Sequence, residues 1–272
     1  MKINEKLEPI LRKWYKEINF PTEYDEAFET YLATVKVDES ATPETYEEAD
    51  GPQNFLTYLY FCEQLQQRYR EKGISETILY DTVQEFYRWT IYRSKLAGKL
   101  NFDACFWVVL TMKLRLFRLG RLNFCIGTEP YGVPSHGLEK GDPIIEVHIP
   151  REPNLLREDC LSSLSQACEF FATYFPDHKW KAFTCHSWLL DSELKGLLSE
   201  TSNILQFQEL FDVVLEHESA ETLHYVFGHG VTKDNIAEQK CKTGLAQKVR
   251  DRVLNGTTFH ESYGIIKPDY LT

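Results

Sequence analysis

The sequence predicts an α+β protein in which a helical N-terminal domain, residues 1–112, precedes a domain of strands and helices, residues 113–272, that is itself α+β. Two observations indicate this division. Apolar residues recur at helical spacing through most of the first part. The pattern then changes. Apolar and polar residues alternate with a period of two over 117–126, and glycine and proline become frequent between 127 and 143. Alternation of that kind is typical of a half-buried strand.

The bulk composition narrows the class of protein. The chain has 272 residues, of which 43% are hydrophobic, enough to bury a sizeable core. Its net charge of −11 argues against a nucleic-acid partner, because phosphate binding needs a basic face. We expect no membrane association, since no apolar run is long enough for a span and residues 1–20 are too charged for a secretory signal.

The cysteines predict a reducing compartment. Seven are scattered along the chain, an odd number with no CxxC pair, and most lie in apolar context. This pattern favours reduced core thiols and a cytoplasmic location. Closely spaced ligands of the kind that zinc sites use are also missing from the sequence, so we expect no bound metal.

The N-terminal domain is predicted to be a set of helices. They cover residues 3–18, 23–34, 54–72, 75–97 and 102–114. Ser75 can cap the fourth helix, and Gly73 and Gly98 can end the third and the fourth. The fifth segment is apolar all round, which predicts that it is buried.

The second domain is predicted to alternate strands with helices. Strands are expected over residues 117–126, 144–149, 182–188, 212–216 and 222–227. Helices are expected over residues 159–175, 192–198, from 202 onward, and 237–254. The strand, helix and strand from 144 to 188 form a right-handed crossover, a unit that leaves a cleft where neighbouring parallel strands part.

That crossover would bring together four residues with useful chemistry, namely His148, Cys185, His186 and Ser187. We predict His148 as a general base, since imidazole titrates near neutral pH, and Glu146 on the same strand face can orient it or act alone. Cys185 and Ser187 are candidate proton donors beside His186, and Cys185 is also a candidate nucleophile. The alternatives are a histidine hydrogen-bonded within the sheet and a buried structural thiol.

Several familiar motifs are missing. No GxGxxG follows a strand, and the phosphate loop GxxxxGK(S/T), the hydrolase elbow GxSxG and the protease motif HExxH are not present. Residues 141–148 weakly match the first metal motif of a cupin barrel, although Pro150 stands where a second histidine is needed.

Particular stretches of the second domain carry a family resemblance. They are Gly141-Asp142-Pro143 with His148-Ile149-Pro150, Cys185-His186-Ser187-Trp188-Leu189-Leu190, Thr201-Ser202-Asn203-Ile204 with Phe207, and Phe117-Arg118-Leu119-Gly120-Arg121-Leu122. On these residues the chain resembles, over nearly its whole length, acyltransferase-domain proteins with a helical N-terminal domain and a GNAT-like C-terminal domain. The resemblance implies a GNAT-like mixed sheet. It also implies acyl transfer to an amine from acetyl-CoA or another acyl-CoA, which is a co-substrate and not a permanent cofactor.

The resemblance further implies where CoA would bind. In GNAT folds the pantetheine arm pairs with the first of two diverging strands, and the pyrophosphate rests on amides at the start of the following helix. The contacts are assigned to Ile149, Arg151, Arg157, Trp188 and Asn203. Loop 151–158 departs from the family pattern because it lacks glycine, and Glu158 and Asp159 add negative charge beside it. A tyrosine often serves as the acid in this family, and Tyr263 is one option.

Two other functions stay open. A binding or sensor protein would keep the sheet and the cleft without catalysis, and the glycine-free loop favours it. A cupin-like metalloenzyme would hold a metal at His148. In each case the expected partner is a small molecule.

Overall fold

The computed structural model describes residues 3–103, 105–152 and 154–271. The chain forms two compact units, Met1–Leu119 and Gly120–Thr272. The first is helical and the second is built on a mixed sheet, which confirms the predicted fold class. The domain boundary between residues 112 and 113 stays a prediction.

Helices make up most of the first unit. They are α1 Glu8–Ile18, α2 Asp25–Thr34, α3 Gly51–Lys72, α4 Glu76–Ala97 and α5 Cys105–Met112, and a short strand, β1 Leu116–Leu119, follows them. The predicted stops are confirmed, because Gly73 and Gly98 adopt left-handed φ values of 73° and 68° directly after α3 and α4. Ser75 caps α4, where its side chain accepts from the amide of Ile78.

Aromatic side chains fill the core of the first unit. Phe102 lies between Tyr58 and Phe86, with 4.8 Å between ring centroids in both pairs. The prediction that the segment 102–114 is buried all round is wrong at Phe106, which is 71% exposed in helix α5. A helix buries only one stripe of its surface against a core. When it is apolar all round, some of its apolar side chains therefore face solvent.

The second unit contains five strands with the spatial order β2-β3-β4-β6-β5. Their bounds are β2 Leu122–Thr128, β3 Pro143–His148, β4 Phe183–Ser187, β5 Phe211–Glu218 and β6 His260–Ile266. Strands β3 and β4 are parallel, and every other neighbouring pair in this order is antiparallel. Helix α6, Arg157–Tyr174, makes the predicted crossover between the parallel pair.

Two predicted strands differ in the structure. The expected strand at 117–126 is two strands, because the chain turns at Gly120 with a φ of 65°. The expected strand at 222–227 is a helix, α8 Glu221–Phe227, after α7 at Asn203–Gln208. Leu223 and Phe227, four residues apart, pack into one hydrophobic cluster, and this helical spacing outweighs the β-propensity of the segment.

The C-terminal part also differs. Helix α9 covers Gly244–Leu254, and Thr243 caps it by accepting from the amide of Ala246, so the helix is shorter than the predicted 237–254. Strand β6 was not predicted. The outer strand β5 shows a register shift between Val213 and Leu215. No helix among the described residues combines the length and the hydrophobicity that crossing a membrane requires.

Candidate active site

Strands β3 and β4 part before either of them ends. The backbone amide of Lys181 donates to the carbonyl of Pro143 at 2.9 Å. The parallel pairing then continues through Ile145↔Phe183 and Glu146↔Thr184. The described ladder stops there, although β3 runs on to His148 and β4 to Ser187. On its other edge β3 stays paired with β2 as far as His148. The second half of β3 therefore has one paired edge and one edge that faces a gap.

One face of the sheet collects the polar groups beside this gap. Since side chains alternate along a strand, the partners Glu146 and Thr184 place His148 and His186 on the same face, two residues further on. His186 is in register with Tyr263 on β6, which puts Tyr263 on that face too. The charges of Glu146 and His148 both act on His186, as expected for neighbours.

The two histidines differ in their surroundings. His148 Nε2 lies 3.3 Å from Glu146 Oε2, and both side chains are partly exposed. His186 Nε2 is buried and has no hydrogen-bond partner among the described residues. Burial lowers the pKa of His186, and the nearby carboxylate of Glu261 works in the opposite direction. A ring nitrogen without a hydrogen-bond partner among the described residues thus lies beside the gap, on an imidazole whose pKa is lowered by burial.

The structure separates the other two predicted catalytic residues from this group. Cys185 and Ser187 flank His186 on β4, so their side chains point to the opposite face. Cys185 is 1% exposed, and burial strongly raises the pKa of its thiol. The Ser187 hydroxyl accepts from the amide of Leu189 at 3.1 Å. Neither side chain lies near the histidines that it accompanies in sequence.

Three acidic or imidazole side chains beside the polar face escaped the sequence reasoning, although it had named Tyr263 beside them. They are Glu129, His217 and Glu261. The Tyr263 hydroxyl donates to Glu129 Oε2 at 2.5 Å, and the carboxylate of Glu129, a residue only 1% exposed, also accepts from the amides of Tyr131 and Gly132. Burial and the bond to Glu129 raise the pKa of Tyr263. His217 on β5 faces Glu261 on β6 at 3.7 Å. His217 and Glu261 come together only through the register of β6 with β4 and β5, for which the sequence carries no local signal.

The loop before α6 is shaped by one arginine. Arg121 donates to the carbonyls of Pro150, Glu152 and Asn154 at 3.2, 3.0 and 3.3 Å. Asn154 takes a left-handed conformation with a φ of 61°, which usually calls for glycine. Helix α6 begins after Leu156, whose side chain cannot cap it. The first amides of the helix therefore receive no hydrogen bond from the N-cap side chain.

The predicted cofactor contacts lie in different settings. Arg157 donates to the carbonyl of Gln206 at 3.2 Å and to the Tyr270 hydroxyl at 3.0 Å. Ser202 caps α7, and Asn203 is its first residue. Trp188 stacks on Tyr225, with ring centroids 5.7 Å apart. Arg151 is exposed, and Ile149 directly follows β3 at the gap.

Both units match described protein domains. Residues 116–266 match the GNAT-like C-terminal domain, over more than half of the chain. The chain belongs to this GNAT-like family. Residues 5–114 match the N-acyltransferase N-terminal domain, so the suspected family is confirmed for both parts of the chain. A GNAT-like mixed sheet also rules out the cupin fold that the sequence left open.

Solved structures share the fold of this GNAT-like chain. One is an acyltransferase in complex with decanoyl-CoA and teicoplanin, with a TM-score of 0.75 and 21% identity over 94% of this chain and 87% of that one. Another is an acyltransferase in complex with decanoyl-CoA, with a TM-score of 0.68 and 23% identity over 97% of this chain and 78% of that one. A third is a mutant acyltransferase in complex with octanoyl-CoA, with a TM-score of 0.74 and 20% identity over 94% and 87% of the two chains. No curated protein matches this sequence.

Proposed function

We propose that this protein transfers an acyl group from an acyl-CoA to the amine of a small molecule. The observation that carries the proposal is the divergence of β3 from β4 after Glu146 and Thr184. Beyond that point the edge of β3 that faces β4 can offer backbone donors and acceptors to a slender chain with amide groups, as the pantetheine arm is. The GNAT-like family and the acyl-CoA complexes of proteins with the same fold support this assignment.

The start of α6 is the proposed position of the CoA pyrophosphate. An uncapped helix start presents amide donors to an anion, and Asn154 supplies the left-handed turn that glycine supplies in other phosphate loops. Arg151 is exposed and offers a positive charge at the same loop. The carboxylates of Glu158 and Asp159 are exposed too, so they can turn to water.

His186 is the proposed general base. Its buried Nε2 has no hydrogen-bond partner among the described residues, and in the tautomer that carries its proton on Nδ1 it can accept the proton of the attacking amine. The amine nitrogen attacks the thioester carbonyl carbon, the C–S bond breaks and the CoA thiolate departs. The imidazolium of His186 then returns a proton to that thiolate. The raised pKa of Tyr263 makes its phenol a poor acid for this step.

Glu146 and His148 flank the proposed base on the same face. Their contact at 3.3 Å holds a carboxylate at the opening, where it favours the approach of a cationic amine. We assign to this pair the positioning of the acceptor. Cys185 and Ser187 take no part in this mechanism, since their side chains lie on the other face of the sheet.

Transfer and binding assays on the full chain test the proposal. Acetyl-, octanoyl- and decanoyl-CoA are each incubated with the protein and a panel of small amines. Thiol release and product mass report transfer, and isothermal titration with CoA and each acyl-CoA reports binding. We expect saturable binding and amine-dependent thiol release with at least one donor. Binding without transfer supports the non-catalytic alternative, and absence of binding to every CoA species contradicts both.

A cytoplasmic location is also proposed. Six cysteines whose side chains the structure describes are free thiols, and four of them are buried. Unpaired thiols suit a reducing compartment. Fractionation with an antibody against the native chain checks this location.

A further inference from the structure

Three metal-ligating side chains converge on the polar face, on neighbouring strands. They are His186 on β4, Glu261 on β6 and His217 on β5. Their ligand atoms all lie within 4.8 Å of one another. The register explains the convergence, because His217 pairs with Glu261 and His186 pairs with Tyr263, two residues further along β6. We propose that these three side chains bind a divalent transition-metal ion, with Zn²⁺ as the best match.

The ligand types select the class of ion. Two imidazole nitrogens and one carboxylate oxygen suit Zn²⁺ and its neighbours Co²⁺ and Ni²⁺, whereas Mg²⁺ and Ca²⁺ prefer oxygen ligands alone. Three protein ligands leave a fourth position for water or another ligand. The set carries one negative charge when both imidazoles are neutral, which favours a dication over a monovalent ion.

The distances allow closure around an ion by small side-chain movements. Tetrahedral Zn²⁺ with ligands at about 2.1 Å needs ligand atoms roughly 3.4 Å apart. His217 Nε2 and Glu261 Oε2 are already 3.7 Å apart. The side chains of His217 and Glu261 are 44% and 27% exposed, so both have room to change rotamer. His186 is the fixed member of the set.

A second observation points to a missing partner at this place. His186 Nε2 is buried and has no hydrogen-bond partner among the described residues, and an unsatisfied buried polar atom is costly. A metal ion at the position between the three side chains would satisfy that nitrogen. A substrate amine at the same nitrogen would satisfy it only during turnover, whereas a bound ion would satisfy it in the resting protein.

The ion would use the same lone pair that the proposed mechanism needs. Zn²⁺ on His186 therefore excludes proton transfer through Nε2, and acyl transfer should fall as the site fills. This inhibitory effect depends on the proposed function, whereas metal binding does not. The two claims are therefore tested by separate readouts.

Metal binding is tested on the full chain after removal of metals with a chelator. Equilibrium dialysis with ZnCl₂ gives the stoichiometry and the affinity, and CoCl₂ gives the visible absorption bands of a tetrahedral site. We expect one tight ion per chain. His217→Gln should weaken binding by more than about tenfold, since changes even in the shell beyond the ligands cost that much. Glu261→Gln is the second ligand variant, and circular dichroism confirms that both variants fold.

His136→Gln is the matched control. His136 Nε2 also lies near a carboxylate, at 3.4 Å from Asp212 Oδ2, but it is not a member of the three-ligand set. This variant should bind Zn²⁺ as the wild type does. Absence of stoichiometric binding, or equal affinity in the wild type and in both ligand variants, overturns the proposal.

Transfer assays separate the two claims. In chelator, the wild type and His136→Gln should transfer acyl groups at similar rates, and added Zn²⁺ should inhibit both. For His217→Gln the rates without and with Zn²⁺ are compared with each other, and the ion should leave them equal. Transfer that resists Zn²⁺ at saturating occupancy overturns the inhibitory role. A chelated wild type that binds Zn²⁺ but transfers nothing contradicts the proposed function and leaves the metal site standing.

Discussion

The hydroxyl of Tyr263 donates to the buried carboxylate of Glu129 across 2.5 Å, on the same sheet face as His186. The bond joins β6 to the loop after β2, because the same carboxylate also accepts from the amides of Tyr131 and Gly132. This arrangement indicates a structural role for Tyr263, which fixes the loop after β2 against strand β6. Its phenol is engaged and difficult to ionise.

Tyr263→Phe should therefore reduce stability more than it reduces catalysis. The change removes one partner of a buried carboxylate and should cost about 1–3 kcal/mol of unfolding free energy. Thermal unfolding and kcat are measured on the same preparation, and we expect kcat to stay within about tenfold of the wild type. A variant with unchanged stability and no turnover would instead make Tyr263 the catalytic acid.

The two histidines at the gap should respond differently to substitution. His186→Gln removes the proposed base and should lower kcat/KM by about 10²–10⁴-fold. His148→Gln should lower it less, because His148 is assigned to positioning through its contact with Glu146. Steady-state kinetics with one acyl-CoA and one amine decide the order. A larger loss in the His148 variant would assign the base to His148, as the sequence alone suggested.

Cys185 should be chemically inert in the folded protein. Its thiol is buried and its pKa is raised by burial, so the reactive thiolate is scarce. A disulfide reagent should modify the partly exposed Cys241 in the native state and reach Cys185 only after unfolding. Cys185→Ala should keep acyl transfer. Loss of transfer in a folded Cys185→Ala protein would contradict direct attack by the amine.

Arg121 should be needed for acyl-CoA binding without touching the ligand. The Arg121 guanidinium donates to three carbonyls of the loop before α6. Without these hydrogen bonds we expect the loop to lose the conformation that leaves the first amides of α6 accessible. Arg121→Ala should raise the Kd for acyl-CoA by about tenfold or more, a difference of about 1.4 kcal/mol. Arg250→Ala is the control, since Arg250 donates to the carbonyl of Gln239 on another loop. Equal effects of the two variants would remove the special role of the loop.

The cap of helix α7 should make a measurable contribution to stability. The Ser202 hydroxyl accepts from the amide of Leu205 at 3.2 Å. Ser202→Ala should cost about 1 kcal/mol, and Ser202→Gly only a few tenths, because glycine is tolerated at this position. Chemical denaturation of the two variants measures the difference. An alanine variant as stable as the glycine variant would show that the cap is dispensable.

Local signals predicted the helices of the first unit well. Gly73 and Gly98 end helices and Ser75 starts one. Each acts on residues within one helical turn, so these helix ends can be predicted without knowing the fold. The same holds for the crossover, whose three elements follow one another directly in sequence. Burial of Phe106 was harder to predict, because it depends on what surrounds α5.

The site was predicted only in part, for a physical reason. Glu146, His148 and His186 share a face because of the parallel register, which the crossover implied. Period-two alternation, applied to β4, would already have separated Cys185 and Ser187 from His186. Glu261 and His217 could not be found, since β6 lies between β4 and β5 in space but after both in sequence. Long-range pairing of that kind leaves no local trace.

The register shift between Val213 and Leu215 bears on self-association of the protein through the edge of its sheet. Strand β5 is the outermost strand of its sheet, and both residues are substantially exposed. An outer strand with regular pairing and apolar side chains is a template on which a foreign strand can add. The irregularity breaks the even row of donors and acceptors, and the carboxylate of Glu216 adds a negative charge that disfavours the approach of a second copy. The rim of the sheet is thereby protected from fibril-like growth.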